Sequence, residues 1–308
     1  MKGVWLSAIM AILIWLALHG CKSYKEQEDL LTDTPERGVI HVSADESFKP
    51  IVDAQVEVYE SNNPDARIVV HYKPEAESLK DLATDSIRVI IATRGYSAAE
   101  ERFLVDSLRI APSQLTVARD AVALIVHPDS PDTLLTMNDL KAILTGRFKK
   151  NLIPVFDGLK ATSTVRFIVY SVLRNDSLTP RALAARSSEE VINYIAAHPE
   201  AIGLIGVSWI GNKDDSNQLS FLKKVKLVKL ESTDVSGEYV LPVQWNIHYG
   251  RYPMVRDLVY ILKENHRGLG HGFTDFLSGN IGQLIFKRAY LMPTQKKFIL
   301  RPVRLREE

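Results

Sequence analysis

The chain has 308 residues, 46% of them apolar, and a formal charge of +1. That length is enough for two lobes with sizeable cores, and the balance of acids and bases excludes a general nucleic-acid binder, which needs a basic stripe to displace counterions. Cys21 is the single cysteine, so no internal disulfide forms and the fold depends on its core.

Lys2 gives a minimal positive start, Val4 to Leu18 form an apolar run, and Gly20 stands just before Cys21. The run is short for a membrane span and has the layout of an export signal. Leu18-His19-Gly20-Cys21 resembles a bacterial lipobox, in which the cysteine is acylated and becomes the mature N-terminus. His19 departs from that pattern, where a small residue is usual. An uncleaved anchor or simple secretion are the alternatives. Residues 1–20 are therefore expected to be a lipoprotein signal peptide. Residues 21–37, centred on Lys25-Glu26-Gln27-Glu28-Asp29, are expected to be a flexible tether.

From Val39 onward β and α patterns alternate. Val39–Val42, Arg67–Tyr72 and Arg88–Ala92 read as strands. Between them lie helical patterns, from Phe48 to Tyr59 and from Ser78 to Leu82. Ser97-Ala98-Ala99-Glu100 has the spacing of a capping box and opens another helix. This order argues for a parallel sheet covered by helices. Thr116–His127 is one long β-prone run that would carry the chain into a second lobe. There, Thr136 reads as an N-cap, with a helix from Asp139 to Leu144 stopped by Gly146. A strand at Leu152–Phe156 and a helix through Val165, Ile168, Val169 and Val172 follow. Ser187-Ser188-Glu189-Glu190 is a second capping pattern, and Ala201–Val207 and Val225–Leu230 are further strands. Tyr239–Tyr249 is expected to return the chain to the first lobe. Helices are expected at Met254–Lys263, Gly272–Leu277 and Ile281–Ala289, with a last strand at Phe298–Val303. The predicted fold is thus α/β in two lobes, each a mostly parallel sheet covered by helices, joined by two crossovers. Residues 38–118 and 240–308 form the first lobe and 119–239 the second.

Three strand-to-helix junctions carry hydroxyl residues: Ser43–Phe48, Glu75–Ser78 and Asp157–Thr164. Helix N-termini offer free N–H groups and partial positive charge, which suit an anion. Each hydroxyl could equally be an ordinary N-cap. Three such junctions in two lobes point to one shared ligand at the carboxyl ends of the strands. Arg94 follows a strand and Arg166 lies early in a helix, so both are candidate partners for an oxyanion through bidentate bonds. Gly206–Gly211 is one residue too long for a nucleophile elbow and reads as a strand running into a turn. Arg267–Gly272 lacks a P-loop ending and reads as a helix stop and loop, and its His266 and His271 lack partners at metal-ligand spacing. Trp245 reads as core packing.

Leu135–Gly146, Ala201–Gly206, Tyr252-Pro253-Met254, and Phe273–Ser278 with Gly282–Ile285, Ala289-Tyr290 and Pro293 resemble, in order, segments of bacterial phosphate-binding proteins. These are the substrate-binding subunits of ABC phosphate transporters. The resemblance runs from about Val39 to Pro293 and implies a two-lobed periplasmic-binding-protein fold. It implies Ser47 and Phe48 in the first ligand loop and Ser78 in the second. Thr93 and Arg94 occupy the place of the family's proton-accepting Asp, leaving Asp45 or Glu77 as possible acceptors. Thr162, Ser163 and Thr164 stand in for its Ser-Gly-Thr motif, and Arg166 for its arginine. The expected function is capture of phosphate or a similar oxyanion, without catalysis, cofactor or metal. The chain would be a monomer, lipid-anchored to a bacterial membrane facing the periplasm or exterior, and would serve an ABC permease. A sensing or scavenging module without a transporter, or a hydrolase, are the other readings.

Overall fold

The computed structural model describes residues 33–158, 162–212 and 214–295. The export signal, Cys21 and the expected strand at Phe298–Val303 lie outside the described residues. The strands are β1 (Gly38–Asp45), β2 (Ala66–Lys73), β3 (Ile87–Ala92), β4 (Ser113–Val126), β5 (Leu134–Leu135), β6 (Ile153–Phe156), β7 (Leu183–Ala184), β8 (Ala201–Gly206), β9 (Lys226–Leu227), β10 (Lys229–Glu231), β11 (Tyr239–Val240), β12 (Val255–Leu262) and β13 (Met292–Pro293). The helices are α1 (Lys49–Asn62), α2 (Glu75–Lys80), α3 (Ala98–Arg102), α4 (Met137–Thr145), α5 (Ser163–Phe167), α6 (Ser188–Ala197), α7 (Ser216–Lys224), α8 (Gln244–His248), α9 (Leu269–Ser278) and α10 (Asn280–Arg288). Among the described residues none is long and apolar enough to cross a membrane.

The main sheet runs β2-β1-β3-β12-β4-β8-β6-β7. β1 pairs in parallel with β2 and β3, and β6 with β7 and β8, as right-handed α/β crossovers require. The long strand β4 joins the two halves. Up to Ala121 it pairs antiparallel with β12, and from Val122 it pairs with β8. Ile40, Val42, Phe48, Ile51, Phe273 and Leu291 form a core on one side of this join, and Leu124, Leu140, Phe156, Ile168 and Leu204 form another on the far side. Two lobes on one continuous sheet result.

Local chemistry fixes most helix ends where the sequence placed them. Ser97 and Thr136 make reciprocal capping boxes with Glu100 and Asp139. Ser187 accepts from the Glu190 amide, and Gly146 closes α4 in the left-handed region at φ 75°.

Several expectations need correction. Met254–Lys263 is not a helix: Val255–Leu262 is β12, hydrogen-bonded to β3 on one side and β4 on the other. A short apolar run buried on both faces carries no clear period, and its Val, Ile and Tyr favour the strand. The return to the first lobe therefore occurs at β12. Residues 239–249 form β11 and α8 instead, and Val240, Ile247, Tyr252 and Met254 pack into the second-lobe core with Leu124 and Leu204. Val225–Leu230 is split into β9 and β10. Ser78 lies inside α2, which starts at Glu75 behind Pro74. Trp245 is 57% exposed and packs at a tilt against Tyr249. Gly268 begins α9 rather than ending a helix.

The folded part also starts earlier than expected. Asp33 is 2% exposed and accepts from the Leu269 amide, while Arg88 reaches both Asp33 and Glu264 at 3.3 and 2.5 Å. His266 and His271, unpartnered by sequence spacing, meet Asp33 and Glu264 in space at 3.1 and 2.9 Å.

Candidate functional site

The first loop is built by the end of β1. Asp45 caps the following 3-10 turn by accepting from the Ser47 amide, and the turn leads directly into α1. Behind it, the Ser47 carbonyl accepts from Ser208 Oγ and Trp209 Nε1, both at 3.0 Å. These bonds fix the Ser47 peptide, and its hydroxyl faces the other lobe. Ser47 Oγ donates to Asp157 Oδ2 at 3.0 Å and lies 3.3 Å from Ser163 Oγ.

The second-lobe contribution comes from the start of α5. Thr162 is its N-cap, accepting from the Val165 amide, and Ser163 and Thr164 are its first residues. All three are buried.

One residue unites the two sets. Arg256 of β12 is paired in register with Asp120 of β4, at the last steps before β4 changes partner. Its Nε donates to Asp120 Oδ2 at 2.9 Å, and Nη1 reaches Ser163 Oγ at 2.9 Å and Thr164 Oγ1 at 3.3 Å. The guanidinium carbon sits 4.9 Å from the centre of the Phe48 ring, an arrangement that favours the cation. Gly206 leaves room for it: a Cβ there would stand 2.9 Å from Arg256 Nη2 and 3.3 Å from the Ser47 carbonyl. The sequence reading did not single out Arg256. The available signal was a charge in each of two apolar β-prone runs, Asp120 in one and Arg256 in the other.

The electrostatics are those of a buried acid-rich cluster around one fixed cation. Asp45, 1% exposed, is pushed up to about 7, chiefly by burial, with Arg256 opposing and Glu75 and Asp157 adding to the rise. Burial also raises Asp120 and Asp157 above the usual carboxylate range, against the pull of nearby donors and Arg256. Asp45 Oδ2, Asp120 Oδ1, Asp157 Oδ1 and Ser78 Oγ are buried without a hydrogen-bond partner in the fold, and Arg256 Nη2 has close contact with Asp120 but no well-aligned bond. Buried polar atoms of this kind are costly unless something completes them. Of the two carboxylates offered as acceptors by the sequence, Asp45 is inside this cluster and Glu77 is exposed on α2.

Thr93, Arg94 and Arg166 lie at the rim. Glu75, 1% exposed at its side chain, accepts from the Thr93 amide at 2.8 Å and the Thr93 hydroxyl, and from Arg166 Nε at 2.5 Å. Burial opposes its charge, but Arg166 and Thr93 hold it below the usual range. Arg166 Nη2 also donates to the Thr93 hydroxyl. Arg94 turns to Glu100 in a two-bonded pair, both at 2.9 Å. Arg94, Glu100, Thr162 and Arg166 line a cavity of about 470 Å³ at the cleft mouth. The structure thus brings Ser47, Phe48, Ser163 and Thr164 together around Arg256, with Thr162 as cap, and sets Thr93, Arg94 and Arg166 outside them.

The model of a PBP superfamily domain matches residues 31–280. The phosphate-binding protein PstS of Bacillus subtilis (strain 168) is 26% identical over 278 residues, covering 84% of this chain and 82% of that protein. A candidate phosphate ABC transporter substrate-binding protein of Clostridium perfringens, solved with bound phosphate, is 20% identical with a TM-score of 0.69, over 83% of this chain and 100% of the other. An ABC-type phosphate transport receptor from Vibrio cholerae is 17% identical with a TM-score of 0.61, over the same 83% and 100% of that chain. The two-lobed architecture, the hydroxyls meeting across the cleft and the extent of the family match lead to one conclusion: this chain belongs to the PBP superfamily.

Proposed function

We propose that the protein captures phosphate between its lobes and passes it to an ABC permease, without chemical turnover. The observation that carries this is the convergence of Ser47 from one lobe and Ser163 and Thr164 from the other on the buried guanidinium of Arg256. Hydroxyls and a guanidinium are donors to an oxyanion, and the similarity to phosphate-binding relatives points to the same ligand. Ser47, Phe48, Ser163, Thr164 and Arg256 form the inner set of this reading, and Ser78, buried inside α2 with an unpartnered hydroxyl, is a further candidate donor. Thr162 orders it as the cap of α5, and Thr93, Arg94 and Arg166 surround its entrance.

The carboxylates define the preference. A carboxylate buried beside the anion, once ionised, is satisfied only by a ligand that still carries a proton. Hydrogen phosphates do at neutral pH, and sulfate does not. Asp45 fills the acceptor role that the third strand leaves to Thr93. Each hydrogen bond to a charged group contributes roughly 1.5–3 kcal/mol, and micromolar binding needs about 8 kcal/mol net of ordering and desolvation. Donors from one lobe fall short of that total, so binding requires closure.

Acylation of Cys21 would hold the protein at the outer face of a bacterial membrane, next to the permease. Isothermal titration with phosphate and with sulfate tests the central reading. Saturable heat with phosphate and much weaker heat with sulfate are expected. Absence of heat with either anion overturns it.

A further inference from the structure

We propose that Glu75 and Arg166, with Glu46 and Ser188, are positioning residues that latch the lobes shut beside the anion rather than contacts to it. This rests on the phosphate-capture reading for its functional meaning, but the latch itself is made only of bonds between protein groups.

Glu75 belongs to the first lobe: α2 packs on β1, β2 and β3. Arg166 belongs to the second, where α5 packs on β8. Their side chains meet at 2.5 Å, with a second contact from Nη2 to Oε1 at 3.3 Å. Thr93, at the end of β3, holds the same carboxylate by its amide and hydroxyl. Every oxygen of Glu75 is therefore used, and Arg166 Nε and Nη2 are engaged by Glu75 and Thr93. A second bridge comes from Glu46, which follows β1 and reaches the start of α6. Its Oε1 accepts from the Ser188 amide at 3.3 Å and its Oε2 from the Ser188 hydroxyl at 3.1 Å. The α6 helix packs on β6 and β8 of the second lobe.

Two carboxylates from one lobe thus find donors on the other, Glu75 from α2 and Glu46 from the turn after β1. Both bridges span the lobes, so parting them breaks both. A buried, fully bonded carboxylate is strongly coupled to its partner, unlike an exposed surface pair. The bridges act on the closed state whether or not an anion is bound, so they bias closure and slow release. They add no selectivity among ligands.

The test uses the full chain with Cys21→Ser and spin labels on Glu77→Cys and Glu189→Cys, one on each lobe. Without ligand, Arg166→Gln and Glu75→Gln should each lengthen the label distance. Phosphate release, followed by stopped flow, should speed by about tenfold or more while association changes by less than about threefold. The double variant should release no faster than the faster single variant, because the pair acts as a unit. Unchanged ligand-free distances in both single variants, or release rates that multiply in the double variant, overturn the latch. A longer distance in a protein that gives no heat with phosphate keeps the latch and removes the phosphate reading.

Discussion

Arg256 combines three roles in one side chain. It neutralises Asp120, orders the first turn of α5 through Ser163 and Thr164, and places its charge under Phe48. Lysine cannot reproduce the planar fork, so Arg256→Lys is expected to weaken phosphate binding at least tenfold by titration calorimetry. Arg256→Gln leaves Asp120 as a buried unpaired charge and should cost about 3–5 kcal/mol in denaturant unfolding at neutral pH. The carboxylates set a pH dependence of opposite sense to a surface salt bridge. Asp45 and Glu46 are both pushed up to about 7, mainly by burial, whereas in the unfolded chain such groups ionise near pH 4. The native state therefore binds more protons between about pH 4 and 7. Unfolding free energy falls as pH rises through that window, by up to about 1.4 kcal/mol per unit for each group, and the loss is complete above it. The melting temperature of ligand-free protein should drop from pH 5 to 7, and Asp45→Asn should flatten the slope. An undiminished slope in that variant assigns the effect to other groups. At this scale the sequence exposed the hydroxyls, because Ser and Thr before an apolar helical repeat are a local signal. It hid Arg256 and Asp120, because their pairing depends on a strand register formed between residues 136 positions apart.

The elements that present the site are short, and each depends on a specific end. Thr162 caps α5 by accepting from the Val165 amide. Thr162→Val should cost about 1 kcal/mol by loss of the cap and reduce phosphate affinity by loosening Ser163 and Thr164. Gly206 ends β8 where its missing side chain makes room for Arg256 and the Ser47 carbonyl. Gly206→Ala should lower phosphate affinity by about tenfold, since a shift of a few tenths of an ångström at a guanidinium disrupts several bonds together. A Gly206→Ala protein that binds like the parent shows that Arg256 can retreat without loss. Capped helices such as α3, α4 and α6 were readable from sequence because the capping chemistry is confined to four residues. β12 was not, because a strand covered on both faces loses the alternation that identifies it, and only its neighbours β3 and β4 settle its conformation. Trp245, expected in the core, is instead exposed on the short helix α8.

Across the whole molecule, the order of α and β segments was enough to foretell two lobes, since βαβ units admit few arrangements. It was not enough to locate the second crossing, because residues 240–254 carry the apolar character of either lobe and only packing against Leu124 and Leu204 assigns them. The expected membrane tether is a whole-molecule property too. If Cys21 is acylated, Cys21→Ser should move the protein from the membrane to the soluble fraction, and retention there would instead mark Val4–Leu18 as an uncleaved anchor. The join between β4 and β12 has a mechanical consequence. Asp120 and Arg256 sit opposite each other on the two strands that join the halves. If the halves turn about that join, a group at the fulcrum travels little while the arms swing, and an arriving anion would meet the cation first. The hydroxyls would then arrive afterwards, carried in by the arms, and seal what the stationary charge had caught.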